Sequence, residues 1–288
     1  MSCAAITRRL GRIFAADGRS LVVAMDHGNG LDVYPHLADP AVILDAIVAG
    51  GADAVLTTPG ILKRFAGHFR RLGVILRLDG SNSILASERH PPRLLHSVED
   101  ALRLGADAVA CMGFPGSPWE MQTTGNLSQL AGDCREWGVP LMAEMIPGSF
   151  ADSKQHTSEN VRLAVRQGFE LGADFIKTKY VGPPGAFREI TRHACCPVLV
   201  LGGERIDQER ALLETVRSAL DEGASGAVIG RNIWAHPHPA GMVAALAALI
   251  HGGAGVSEAM GILASSHADP IAPDPSNRSR TAQAPDGA

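Results

Sequence analysis

The sequence predicts a closed (β/α)8 barrel, the TIM-barrel fold class, and three observations carry that prediction. Four short phrases repeat along the chain: Gly51-Ala52-Asp53-Ala54-Val55, Gly105-Ala106-Asp107-Ala108-Val109, Gly172-Ala173-Asp174-Phe175-Ile176 and Gly223-Ala224-Ser225-Gly226-Ala227-Val228. Eight short apolar runs alternate with eight helical stretches across about 230 residues, as a parallel sheet covered by helices requires. The 288 residues are 45% hydrophobic and 19% charged, which supports a large core and excludes wholesale disorder. An open doubly wound sheet accepts the same alternation. It would want Gly-x-Gly-x-x-Gly after the first strand, and Asp26-His27-Gly28-Asn29-Gly30 does not supply it. Junctions repeating on alternate strands, together with the length, favour the closed barrel.

The elements follow in order. Residues 1–20 read as an extra helix packed outside the barrel. Asp39 and Pro40 open the helix after the first strand, the aspartate as cap and the proline in the first turn. Each repeated phrase marks a helix ending at glycine, which takes φ > 0 there without penalty, and then a short buried strand. Four more strands, 21–26, 74–80, 140–148 and 197–203, lie between those four. Leu212, Val216 and Leu220 form one inward stripe ahead of Gly223. Asp207 is expected to cap another helix, and 255–263 reads as a further one. From Ser265 the chain turns to Pro, Ser, Asp and Ala, so 1–264 is expected to be one barrel domain and 265–288 a disordered tail.

Composition removes several function classes. Net charge is −4 and no Lys/Arg run exceeds two, so the basic footprint of a nucleic-acid or membrane-surface protein is missing. Aromatics make up 5%, too few for a base-stacking platform. Five cysteines without a Cys-x-x-Cys pair read as reduced thiols of a cytoplasmic protein. Cys111 falls inside a strand as core, and Cys195-Cys196 sits at a helix–strand junction in a structural role. No apolar run approaches the roughly 20 residues of a membrane span, and the N-terminus lacks a signal peptide's hydrophobic stretch. The eleven histidines show no metal-site spacing, and His236 and His238 read as shaping a loop.

Barrel chemistry sits at the C-terminal strand ends. The sixth strand ends in Lys177-Thr178-Lys179-Tyr180, with Phe175, Lys177 and Lys179 on one face. A lysine buried there needs a counter-charge or a task that prefers it neutral. Attack on a carbonyl to form a Schiff base is such a task, and bringing the amine to a pKa of 7–8 costs on the order of 4 kcal/mol. A second ammonium at Lys179 would help. Pairing with Asp26 or Glu144 is the competing reading, and spacing alone leaves the two even. Gly202-Gly203 and Gly230-Arg231 lie after strands seven and eight, where barrel enzymes hold phosphate. Glycine lets backbone N–H groups approach an anion, and Arg231 or Arg205 would add a bidentate contact.

Asp26-His27-Gly28, Ile176-Lys177-Thr178-Lys179-Tyr180, Gly202-Gly203 and Gly230-Arg231-Asn232-Ile233-Trp234 together resemble the DeoC/FbaB superfamily of class I aldolases, most of all its archaeal-type fructose-bisphosphate aldolase branch. Gly80-Ser81-Asn82-Ser83-Ile84-Leu85 looks most like the branch member that processes phosphorylated autoinducer-2. The resemblance implies a Schiff-base lysine at Lys177, an active-site carboxylate at Asp26, and phosphate held by Gly202, Gly203, Gly230 and Arg231. His27 and Lys179 complete the expected substrate-binding set. It also implies a homo-oligomer, often a decamer, and no metal or cofactor. One departure matters: aldolase members carry a proton-transferring tyrosine at the end of strand five, where this chain has Ile146. Glu144, two residues earlier on the same face, is expected to take over acid–base work. The expected function is aldol cleavage or formation on a small phosphorylated ketose or diketone. The alternatives are a thiolase with coenzyme A as co-substrate, an aminodideoxyheptulosonate synthase, and a non-catalytic phosphosugar-binding barrel.

Overall fold

The computed structural model describes residues 4–29, 34–80, 82–88, 90–203 and 208–266. Eight strands close a parallel barrel: β1 Ser20–Ala24, β2 Ala54–Thr57, β3 Gly73–Arg77, β4 Ala108–Gly113, β5 Leu141–Met145, β6 Phe175–Thr178, β7 Val198–Leu201 and β8 Gly226–Ile229. Each strand pairs with the next in sequence, and β8 returns to β1 through Val22 opposite Val228. The α-helices are α1 Ala4–Ile13, α2 Pro40–Gly50, α3 Pro59–Phe69, α4 Val98–Arg103, α5 Glu120–Trp137, α6 Ser158–Glu170, α7 Ala186–Ala194, α8 Glu209–Asp221, α9 Arg231–Trp234, α10 Pro239–Ile250 and α11 Val256–Ser266.

The repeated phrases have a direct physical cause. Gly51, Gly105, Gly172 and Gly223 all take φ between 82° and 104°, which ends each preceding helix without a Cβ clash. The aspartate two residues on then ties an odd strand to the even strand it precedes. Asp53 accepts Leu21 N–H at 2.7 Å, Asp107 accepts Val74 N–H at 3.0 Å, and Asp174 accepts Leu141 N–H at 2.8 Å. Each carboxylate satisfies an N–H in the first two residues of a buried strand, a donor that needs a partner there. In the fourth phrase Ser225 stands in the aspartate's place, and its backbone carbonyl accepts Ser20 N–H at 2.9 Å.

Two apolar shells follow from the strand pleat. Val22, Ala24, Leu56, Ile75, Ala110, Met142, Phe175, Leu199 and Val228 fill the interior. Val23, Val55, Leu76, Val109, Ile176 and Val200 face outward beneath the helices. Leu212, Val216 and Leu220 bury the inner stripe of α8, and the Asp39 carboxylate accepts Ala41 N–H to cap α2, both as the sequence predicts.

Helix α1 lies outside the strand ring, as the sequence predicts, and the residues at its end cover the barrel's lower mouth: Ile13 is fully buried in the interior shell, and the Phe14 ring meets Phe175 edge-on at 5.3 Å. Several boundaries differ from the sequence reading. Strand β3 stops at Arg77, because Asp79–Gly80 leaves the barrel to pair antiparallel with Arg93–Leu94. Ser265 and Ser266 extend α11, so they are not part of a tail. Arg205, the Asp207 cap, Ser81 and residues 267–288 lie outside the described residues. Among the described residues, no helix is long and apolar enough to cross a membrane.

At the lower end His251 joins three segments. Its Nδ1 lies 2.8 Å from Asp17 Oδ2 and its Nε2 lies 2.9 Å from Asp53 Oδ2. The hydrogen bond to Asp53, with help from Asp17 and against burial, raises the imidazolium pKa to about 9. A raised folded-state value adds stability that is complete below pH 6.5 and is lost as pH rises through about 9. His251→Gln should therefore lower the unfolding free energy by about 1–2 kcal/mol at pH 6, a figure reduced for solvent screening. Urea titrations at pH 6 and pH 10 check this: the difference from wild type should disappear at the higher pH.

Candidate active site

The C-terminal mouth of the barrel gathers an ionised cluster that neighbouring strands place at one level. The register sets Glu144 on β5 directly beside Lys177 on β6, and Arg77 on β3 beside Ala110 on β4. Lys177 is 7% exposed and shares the inward face with Phe175. Its Nζ lies 2.6 Å from Glu144 Oε1. The other oxygen of Glu144 accepts from the Arg77 guanidinium, whose Nε also donates to Asp26 Oδ2 at 2.9 Å. Arg77 further donates to Asp79 Oδ1 at 3.3 Å.

Burial alone would push both expected acid–base carboxyls toward the neutral form. For Asp26 it is overcome chiefly by the charges of Arg77 and Lys177, and the carboxyl is held below its ordinary value. For Glu144 it is overcome by Lys177 and Arg77, with the same result. Asp79 differs: burial outweighs Arg77 and the Met112 N–H, and its carboxyl is raised. The resting site thus presents two carboxylates to the Lys177 amine. That geometry is compatible with both readings of Lys177, since the carboxylate paired with it lies 2.6 Å from its nitrogen, within reach of a proton transfer.

His27 follows Asp26 and packs against Tyr34 and Trp234, with ring centroids at 6.0 and 5.3 Å. Trp234 is fixed by its indole N–H, which donates to the Ala24 carbonyl at 2.9 Å. His27 Nδ1 is buried and stands 3.7 Å from Asp26 Oδ1, too long for a hydrogen bond. Burial, with Lys177 and Arg231 nearby, holds its pKa below the ordinary value, so the ring is neutral near pH 7. Gly230 is required beside it: a Cβ there would stand 2.5 Å from His27 Cε1 and 2.9 Å from the Ala24 carbonyl oxygen.

The loops after β7 and β8 interlock. Arg231 donates to the Gly203 carbonyl at 3.1 Å, and Asn232 to the Gly202 carbonyl at 3.0 Å. Gly203 takes φ of 67°, and Arg231 Nε is buried with no partner among the described residues. A cationic donor left unpaired in a buried position suits an incoming anion. Lys179 lies past the end of β6, and its Nζ contacts His156 Nδ1 at 3.2 Å. His156 Nε2 faces the Ser149 carbonyl at 2.8 Å, so the ring donates there and accepts from Lys179. The structure therefore joins Asp26, His27, Glu144 and Lys177 in one cluster and Gly202, Gly203, Gly230 and Arg231 in a second. It gives Lys179 a separate partner.

Arg77 and Asp79 are the residues that sequence reasoning missed. The signal was present: Ile75 and Arg77 share the inward face, and a charge in an otherwise apolar strand demands a partner. Ile146 is fully buried and its N–H bonds to the Gly113 carbonyl, so its side chain brings no proton donor to the mouth. Cys111 is core, and burial pushes its thiol well up. His236 pairs with Glu209 at 2.8 Å and accepts His238 N–H, the loop-shaping role expected of the two.

Fold and cluster together define a barrel enzyme built to act on a carbonyl through a lysine amine. The sequence pattern of the DeoC/LacD family aldolases matches residues 20–236, and the chain belongs to that family. It is 37% identical over 251 residues to the 2-amino-3,7-dideoxy-D-threo-hept-6-ulosonate synthase of Halobacterium salinarum, covering 87% of this chain and 93% of that one. It is 33% identical over 264 residues to the class 1 fructose-bisphosphate aldolase of Thermoproteus tenax, covering 89% and 99%. Among solved structures it superposes on a Schiff-base-forming fructose-1,6-bisphosphate aldolase studied through its reaction intermediates. That match has a TM-score of 0.77 and 33% identity, over 85% of this chain and all of that one.

Proposed function

We propose that this protein is a class I aldolase that cleaves or forms a carbon–carbon bond in a small phosphorylated ketose, with Lys177 as the nucleophile. The observation that carries the reading is the Lys177 amine, buried at the barrel mouth 2.6 Å from the Glu144 carboxylate. The lysine passes a proton to a carboxylate, and its nitrogen pair bonds the substrate carbonyl carbon. The carbonyl oxygen leaves as water, giving a protonated imine. Glu144 or Asp26 then removes a proton from the hydroxyl on the far carbon of the bond to be broken, the carbon that becomes the aldehyde. The electrons of that carbon–carbon bond move onto the imine as an enamine while an aldehyde departs. Protonation of the enamine and attack of water on the imine carbon release the ketone and return the amine.

The buried, unpaired Nε of Arg231 and the open space beside Gly203 support a place for the substrate phosphate, with the backbone of Gly202 and Gly230 next to it. Arg231→Met should raise KM for a phosphorylated ketose roughly ten- to hundredfold, the cost of one lost charged hydrogen bond. Cleavage of the unphosphorylated ketose should hardly change, which steady-state kinetics on both substrates will show.

Ile146 favours a second reading. With no tyrosine at that position, cleavage of a phosphorylated diketone with acyl transfer to coenzyme A becomes a competitor. Product analysis of phosphorylated ketoses and diketones, with and without coenzyme A, tests both. Aldehyde release from a ketose without coenzyme A, unaffected by chelator, is expected. Dependence on coenzyme A would select the thiolase reaction, and dependence on a divalent metal would overturn the imine route. A cytoplasmic homo-oligomer is part of the same proposal, and light scattering of the purified protein reads its size.

A further inference from the structure

Arg77 is 5% exposed and aims all three guanidinium nitrogens at carboxylates. Nε reaches Asp26 at the end of β1, one terminal nitrogen reaches Glu144 on β5, and the other reaches Asp79. Asp79 is itself anchored, because its second oxygen accepts Met112 N–H from β4 at 3.0 Å. The guanidinium therefore bridges strands far apart around the ring and is fixed to a fourth. Only a planar fork does this; a lysine offers one point charge on a flexible stem.

We propose that Arg77, braced by Asp79, is the positioning residue that holds Asp26 and Glu144 as a fixed pair facing the Lys177 amine. The proposal rests on the reading of Lys177 as nucleophile. Arginine keeps its charge through any catalytic cycle, so Arg77 is no proton shuttle and contributes geometry and a constant positive charge. Imine chemistry needs that constancy. Amine deprotonation, loss of water and hydroxyl deprotonation each require a carboxyl at a set distance, and a displacement of 1 Å costs about a hundredfold in rate. The titratable groups around Arg77 are Asp26 after β1, Asp79 after β3, Cys111 on β4 and Glu144 on β5; Lys177 on β6 and His27 face those carboxylates, with Arg231 beyond His27.

Two variants separate geometry from charge. Arg77→Lys keeps the charge and loses the fork. Its kcat should fall about a hundredfold with KM little changed and the acid limb of kcat/KM unmoved. Arg77→Met loses both, so the acid limb should also move up by about 1–3 pH units as the carboxylates lose their neighbouring cation. Asp79→Asn, which only loosens the brace, should give a smaller fall in kcat and stands in if Arg77→Met does not fold. Melting temperatures report folding for each. Folded variants with wild-type kcat and an unmoved acid limb would show Arg77 to be structural and overturn the proposal. A wild-type enzyme that forms no adduct at Lys177 would instead overturn the reading beneath it.

Discussion

Lys177→Met should fold and lose aldol cleavage by roughly 10⁴-fold or more, because the change removes the only group that bonds the substrate. Methionine matches the lysine stem in length and suits the apolar neighbour Phe175, so the packing at β6 is kept. Glu144 retains Arg77 as its cation, so the cluster stays closed on that side. Steady-state rates and a melting curve on the same sample check the expectation. A loss of only tenfold in a well-folded variant would mean that the lysine binds rather than reacts.

Glu144→Gln separates bond formation from bond cleavage. Glutamine fills the same space and can still accept from Arg77, so the change removes the base more than the architecture. A positioned general base contributes about 10²–10⁴-fold, and kcat should fall by that range. Imine formation should be slowed but not abolished, since Lys177 and a second carboxylate, Asp26, are still in place. The expected signature is a variant that is trapped by borohydride with a phosphorylated ketone yet turns over slowly. Near-normal turnover would remove Glu144 from the mechanism and leave Asp26 as the base. Some destabilisation will accompany the change, because breaking a buried ion pair leaves its partner less well compensated, by about 3–5 kcal/mol at the extreme.

The barrel was legible because its signals are local and repeated. The four glycine phrases mark helix ends by a conformation that glycine adopts readily, and the aspartates in three of them bond the starts of neighbouring strands. Lys177 was legible as a charge on a buried strand face. Arg77 carries the same signal, but the unbroken strand that the sequence predicts over 74–80 hides the departure of Asp79 into an antiparallel pair with Leu94. That pairing depends on Arg93–Leu94, thirteen residues beyond Gly80, and no periodicity reaches across such a gap. The covering of the lower mouth by the end of α1 was hidden for a similar reason. An amphipathic stripe shows that a helix buries one face, and only the closed ring decides that Ile13 enters the lower mouth. Lys179 was expected beside Lys177 from alternation, but β6 ends at Thr178 and the alternation ends with it.

The account comes down to which amine meets the substrate, and the chain has four lysines to choose from: Lys63, Lys154, Lys177 and Lys179. Incubating the wild-type protein with a phosphorylated ketose, reducing with borohydride and mapping the peptides by mass gives the answer directly. One reduced sugar per chain on the peptide holding Lys177, lost in Lys177→Met, is predicted. A protein that cleaves the ketose but carries the label elsewhere, or carries none, would contradict it.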